Sequence, residues 1–131
     1  MTSAKELRLV LRVEDHEQAL AFYRDALGLT QLADWSSEDG KVVLLDAGRA
    51  TLELVDARQA ATIDEIEVGN RVAGRVRIAV EVEDSAATAA ALEDAGAHRL
   101  GGPVDTPWHD RNVRVRAPDG MQLTLFTPLA E

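Results

Sequence analysis

The chain has 131 residues, no cysteine and a formal net charge of −9, with 46% apolar and 28% charged residues. This length allows one domain that can bury a core without a structural metal, and the missing cysteines exclude disulfides, thiol catalysis and cysteine-bound metals. The negative charge argues against nucleic acid and anionic membranes as partners, and without a membrane-spanning apolar run or a signal peptide the sequence predicts a soluble, cytoplasmic protein.

The first half of the chain has the pattern of a strand, a helix and further short strands. Residues 7–13 alternate as LRLVLRV, which predicts a strand. Asp15 can cap the start of a helix and Gly28 suits the left-handed position after its last turn, so a helix is predicted between them. Strand-like runs follow at residues 41–47 and 50–55, with a weaker one near residues 31–33.

The second half repeats this order. Residues 76–82 alternate as VRIAVEV, and a helix is predicted between Asp84 and Gly96 by the same capping signals. The stretch between the halves has no strand pattern, although Ile63 and Ile66 favour a docked helix in part of it. The later strand-like runs cover residues 113–117 and 121–127, with a weaker one near residues 98–100.

This internal repeat predicts an α+β fold made of two tandem βαβββ modules. A single domain is placed over residues 1–131, with module one at about 5–56, a linker at 57–74 and module two at about 75–128. Alternate side chains of a strand lie on opposite faces of its sheet. The apolar rows must pack on the helices, which leaves a second face that carries polar and apolar groups, among them Arg8, Glu53, Arg77 and Thr124. Such a face is either solvent-exposed or the wall of a pocket.

Segments of both halves resemble the vicinal oxygen chelate superfamily, which includes glyoxalase I, extradiol dioxygenases and the bleomycin-resistance proteins. The first half carries LRVED followed by AFYRDALGL. In the second half, PWHDR at residues 107–111 and APDG at residues 117–120 are similar to the Pro-Trp-Gly-x-Arg and Asp-Pro-Asp-Gly-Asn segments of glyoxalase-like and bleomycin-resistance-like members. The resemblance implies the glyoxalase/bleomycin-resistance fold, with curved mixed sheets, but no single activity, because the superfamily includes lyases, isomerases, dioxygenases and binding proteins.

The resemblance also implies where metal-dependent members hold a divalent ion, on the first and last strand of each half. Those positions fall on Arg8, Glu53, Arg77 and Thr124. Only Glu53 is an acceptable ligand, since arginine keeps its proton and a threonine hydroxyl binds metals poorly. The sequence therefore predicts neither a bound metal nor another cofactor.

The residues at these positions suggest a different kind of cluster. If Arg8, Glu53 and Arg77 approach one another, the carboxylate could bridge the two guanidinium groups. The cluster could then accept an oxyanion of a ligand, or it could fill the former metal cavity as a structural salt bridge. The sequence leaves both alternatives open.

Loop residues complete the candidate site. Trp35 and Trp108 could stack on a flat ligand or could pack against a helix or a dimer neighbour, and the resemblance favours the pocket for Trp108. Arg111 of the same motif could reach the pocket mouth or could hold the loop in place. His109 stands where the motif usually has glycine, and its role is left open.

The sequence thus predicts a metal-free protein that binds a small organic ligand in a sheet-lined groove, for which the acidic charge would suit a cationic molecule. The predicted ligand-binding residues are Arg8, Trp35, Glu53, Arg77, Trp108, Arg111 and Thr124. One alternative is a lyase, isomerase or dioxygenase of the superfamily with an altered or metal-independent site, in which Glu53 is the only catalytic candidate. Another is a pure interaction module. The resemblance also implies a homodimer whose cups combine one half from each chain.

Overall fold

The computed structural model describes residues 8–50, 53 and 55–130. Its helices and strands form two sheets, a two-stranded sheet of β1 and β2 and a four-stranded sheet in the order β3-β6-β5-β4. This mixed architecture confirms the predicted α+β class, while the division into two modules stays a prediction. The elements are α1 (His16–Leu20), which continues as a π-helix over Ala21–Ala26, β1 (Gln31–Asp34), β2 (Val43–Leu45), α2 (Ala57–Glu67), β3 (Ile78–Glu81), α3 (Ser85–Asp94), β4 (His98–Asp105), β5 (Asp110–Arg116) and β6 (Gln122–Pro128).

The core lies on one face of the four-stranded sheet. β3 runs parallel to β6, whereas β5 is antiparallel to both of its neighbours. Alternation along β5 and β6 places one apolar row against α3 and the first helix. The fully buried members of this packing include Phe22, Leu92, Val113, Val115, Leu123 and Leu125.

The predicted helix ends are confirmed. The side chain of Asp15 accepts a hydrogen bond from the backbone N–H of Gln18 at 3.0 Å, and Asp84 caps α3 in the same way. Gly28 and Gly96 follow these helices with φ angles of 88° and 106°. Both glycines therefore adopt the left-handed conformation that commonly ends a helix, and they do so without the steric cost that a Cβ would add.

The prediction of a strand over residues 7–13 is wrong for the described residues of the single chain. Residues 8–13 adopt no strand structure, while Leu7 lies outside the described residues. Leu9 and Val10 are 52% and 87% exposed, so their alternating side chains have no sheet to pack on in one chain. Thr51, Leu52 and Leu54, which belong to the predicted strand over residues 50–55, lie outside the described residues as well.

The strand predicted only weakly near residues 98–100 is the longest of the sheet. β4 continues through two glycines and a proline to Asp105, and irregular pairing with β5 accommodates that sequence. The helix predicted within the linker is confirmed as α2, and the side chain of Ile63 in this helix is buried. None of the helices within the described ranges is long and apolar enough to cross a membrane.

Candidate functional site

A cavity of about 330 Å³ lies on the sheet face opposite the core. This volume lies within the range of small-molecule sites in proteins. One wall comes from β3, β5 and β6, and another comes from α2, which contributes every fourth residue from Gln59. The lining residues are Glu53, Val55, Gln59, Ile63, Glu67, Arg77, Ala79, Trp108, Asp110, Asn112, Thr124 and Phe126.

Four of the sequence-predicted site residues line this cavity within a single chain. They are Glu53, Arg77, Trp108 and Thr124. Two of the other three candidates lie together instead, because the guanidinium carbon of Arg8 is 5.4 Å from the centre of the Trp35 ring, a cation–π geometry. Neither of them is among the described residues that line the cavity.

Arg111 lies outside the cavity lining and links two strands. Its Nε donates to Asp105 Oδ1 at 2.8 Å, at the point where the two residues pair across β4 and β5. This hydrogen bond lowers the pKa of the Asp105 carboxyl below its ordinary value. In one chain the arrangement corresponds to the alternative in which Arg111 holds the loop in place.

His109 has a backbone conformation that favours glycine. Its φ angle is 67°, in the left-handed region that residues with a Cβ adopt at a cost. The backbone N–H of His109 donates to the carbonyl of Thr106 at 3.1 Å, which closes the turn before β5. The turn places Trp108 and Asp110, on either side of His109, at the cavity.

A buried network of charged side chains lies beneath the cavity. Arg114 is completely buried, and its Nε donates to Glu67 Oε1 at 3.0 Å while its Nη1 donates to Asp64 Oδ1 at 2.9 Å. Glu67 also accepts hydrogen bonds from Thr124 Oγ1 at 2.8 Å and from Asn112 Nδ2 at 2.9 Å. The network therefore fastens the C-terminal turn of α2 to the polar row of β5 and β6.

The hydrogen-bonded cluster of the described chain contains two arginines, as the sequence suggested, but its carboxylate is Glu67. Arg114 donates to Glu67 directly, whereas no hydrogen bond within the described residues joins Glu53 to Arg77. Arg77 joins this cluster indirectly, because its Nη1 donates to Thr124 Oγ1 at 2.6 Å and that hydroxyl donates to Glu67.

Two pKa values reflect this environment. Burial, and next the positive charge of Arg114, lower the pKa of Arg77 against the opposing effect of the nearby carboxylates. Burial on its own would raise the pKa of Asp64. Hydrogen bonds from the backbone N–H groups of Ala73 and Val72, and from Arg114, outweigh burial and hold that pKa below its usual range.

Sequence reasoning missed Asp64, Glu67, Asn112 and Arg114. One signal was available in β5, where polar Asn112 and Arg114 alternate with Val113 and Val115, the pattern of a strand with one polar face. Asp64 and Glu67 lie three residues apart on α2 and so share a helix face. Nothing in the local sequence pairs that face with β5.

Comparison with known proteins places this fold in a family. The family model of the Glyoxalase/Bleomycin resistance protein/Dioxygenase superfamily matches residues 7–125. The chain belongs to this superfamily. The resemblance inferred from the motifs is therefore confirmed, although no curated protein matches the sequence.

Solved structures of several other proteins are similar to this chain over most of their length. TnmS3, an antibiotic-binding protein from Streptomyces sp. CB03234, is 27% identical with a TM-score of 0.63, and the match covers 98% of this chain and 99% of that one. A glyoxalase/bleomycin resistance protein from the same strain is 29% identical with a TM-score of 0.53, covering 86% and 91%. A superfamily member from Sphaerobacter thermophilus DSM 20745, 24% identical with a TM-score of 0.57 over 88% and 90%, shows the fold alone.

The residues of this superfamily member do not fit the metal site of its metal-dependent relatives. At two of the four implied positions, Arg77 donates a hydrogen bond to Thr124, and a guanidinium cannot coordinate a cation. Within the described ranges, no three His, Cys, Asp or Glu side chains are arranged to hold a metal ion. The donor set is therefore that of a hydrogen-bonded cluster.

Proposed function

We propose that this superfamily member is a binding protein that holds a small organic molecule in the cavity without a metal. The observation that carries the proposal is that Arg77 and Thr124 pair with each other at implied metal positions, inside a cavity that retains the volume of a ligand site. The antibiotic-binding description of TnmS3 supports the same class of function. No observation favours the enzymatic alternative with Glu53 as acid or base.

Trp108 is the proposed stacking residue for the ligand. It lines the cavity together with Phe126, and 41% of its surface is exposed. A large apolar ring at the mouth of a cavity can bury surface against a flat ligand and gain the additional energy of ring stacking. Glu53, Arg77 and Thr124 would supply the polar contacts. Arg8, Trp35 and Arg111 could touch the ligand only if they approached the cavity from another subunit or after a rearrangement.

Replacing Trp108 with alanine should weaken the binding of flat aromatic molecules by about tenfold, because the stacking surface is lost. Naphthamide, naphthoate and naphthylmethylammonium are suitable probes, and isothermal titration calorimetry measures their affinities. Val76→Ala is the control, because Val76 is also an exposed apolar residue but does not line the cavity of the described chain. Equal affinity in wild type and Trp108→Ala, or no binding of any probe, would contradict the proposal.

We also infer that two copies of the chain associate. Several large apolar side chains are exposed on residues 8–13 and on or directly beside the two-stranded sheet, namely Leu9, Val10, Leu32, Trp35 and Val42. Exposed apolar groups of this kind mark interaction surfaces, and a two-fold partner would use the same surface twice. Light scattering at micromolar concentration should give twice the 14.2 kDa chain mass, and Val10→Lys should shift it towards one chain. A single-chain mass for the wild type would contradict the inference.

A further inference from the structure

Arg77 supplies the only cationic side chain among the described residues that line the cavity. A guanidinium group has five N–H donors. In the described part of the chain, a single hydrogen bond uses one of them, from Nη1 to Thr124 Oγ1. That hydroxyl also donates to Glu67 and accepts from Arg114 Nε at 3.1 Å, so it cannot satisfy Arg77 further.

The remaining donors of Arg77 lie on a side chain that lines the cavity and is partly buried. A hydrogen bond to a charged donor contributes more than one between neutral groups. Burial and the neighbouring charge of Arg114 lower the pKa of Arg77, although arginine remains protonated. An acceptor oxygen on a ligand could therefore bind the Arg77 donors that no residue of the described chain uses.

A neutral acceptor suits the cavity better than an anionic one. Three carboxylates, those of Glu53, Glu67 and Asp110, line the same cavity as Arg77. They would repel a carboxylate on the ligand. A carbonyl group can accept from the guanidinium without bringing a charge near these residues.

A cationic ligand is the other candidate, and the surroundings of the three carboxylates decide against it. Glu53 is exposed and Asp110 is partly open to solvent, and ion pairs in contact with water contribute little to affinity. Glu67 already has three donors of its own. A cation would in addition meet the positive charge of Arg77.

We infer that the ligand of this cavity is a flat aromatic molecule with a neutral carbonyl group, whose oxygen accepts hydrogen bonds from Arg77 while the ring stacks on Trp108. This inference rests on the proposed function and specifies its ligand class. Arg77 is then the residue that selects among aromatic molecules of the same shape.

Three probes with one ring system test this ligand class. Naphthamide, naphthoate and naphthylmethylammonium, substituted at the same ring position, differ only in carrying a neutral carbonyl, a carboxylate or a cation. Calorimetry with wild type should show naphthamide binding at least tenfold more tightly than the ammonium and more tightly than naphthoate. Arg77→Met should lower the affinity for naphthamide at least tenfold. Arg75→Met, which makes the same charge change at an exposed site outside the lining, should leave it unchanged.

The outcomes separate this inference from the proposed function. Tightest binding of the ammonium or of naphthoate would overturn the carbonyl assignment while leaving the cavity a ligand site, and so would an unchanged naphthamide affinity in Arg77→Met. If no probe binds to wild type, the proposed function and the inference fail together. If Arg77→Met does not fold, the order of the three affinities measured with the wild type tests the carbonyl assignment by itself.

Discussion

Replacing Arg114 with methionine is expected to lower the free energy of unfolding by about 3–5 kcal/mol, because removing one partner of a buried ion pair leaves uncompensated charge. Arg114 is fully buried and pairs with Asp64 at 2.9 Å and with Glu67 at 3.0 Å. Methionine would fill much of the volume but leave two buried carboxylates side by side. Urea denaturation monitored by circular dichroism measures the loss.

Arg99→Met is the matched control for this prediction. Arg99 forms an ion pair with Glu93 that remains partly open to solvent, and such pairs contribute about 0–1 kcal/mol. Comparable losses in the two variants would show that the buried network does not stabilise α2 on the sheet.

The same network predicts how stability depends on pH. Asp64 has a folded-state pKa below its ordinary value, so its stabilising contribution is present above the unfolded-state pKa and is lost as the pH falls through the folded-state pKa. Wild type should therefore lose stability in acid. Arg114→Met removes one cause of the lowered pKa, and the acid loss should shrink in that variant.

Replacing Gly101 with alanine should lower the free energy of unfolding by about 1–3 kcal/mol, the usual cost of overpacking. Gly101 lies in β4 where the end of α2 packs on the strand. A Cβ there would collide with the backbone oxygen of Glu67 and lie 2.9 Å from the Cα of Val68. The end of α2 would have to move away from the sheet, and Glu67 would move with it. We expect naphthamide binding to weaken as well, since Glu67 supports Thr124 beneath Arg77.

Gly74→Ala provides the control, because a Cβ at Gly74 would meet no atom within 4 Å. Its stability should stay unchanged or rise slightly, since alanine restricts the unfolded chain. If the two glycine variants denature at the same urea concentration, the close approach of α2 to β4 does not constrain the site.

The helix ends could be predicted from sequence because their signals are local. Asp15 and Asp84 satisfy backbone N–H groups three residues away, and Gly28 and Gly96 adopt left-handed conformations directly after the last turns. The first strand could not be predicted in the same way. Alternation over residues 7–13 indicates a segment suited to a sheet, but a strand also needs a neighbour to pair with, and distant parts of the chain decide whether one exists.

The candidate site was predictable to the extent that strand alternation determines it. Arg77 directly precedes β3, and Thr124 lies on the adjacent strand β6. Strand alternation predicts that both side chains lie on the polar face of the sheet, and in the structure they form a hydrogen bond there. Glu67 was not predicted as the carboxylate beneath this pair because Glu67 and Arg114 are 47 residues apart, on a linker helix and a strand. Their contact depends on how α2 docks, and Gly101 permits that docking through the absence of a side chain.

That Arg77 holds the ligand without a metal is tested most directly by calorimetric titration of naphthamide into wild type under two conditions. One sample is dialysed against EDTA, and the other is supplied with excess divalent manganese or zinc. The same dissociation constant in both samples is the predicted result. Binding that appears only in the metal-supplied sample would contradict it.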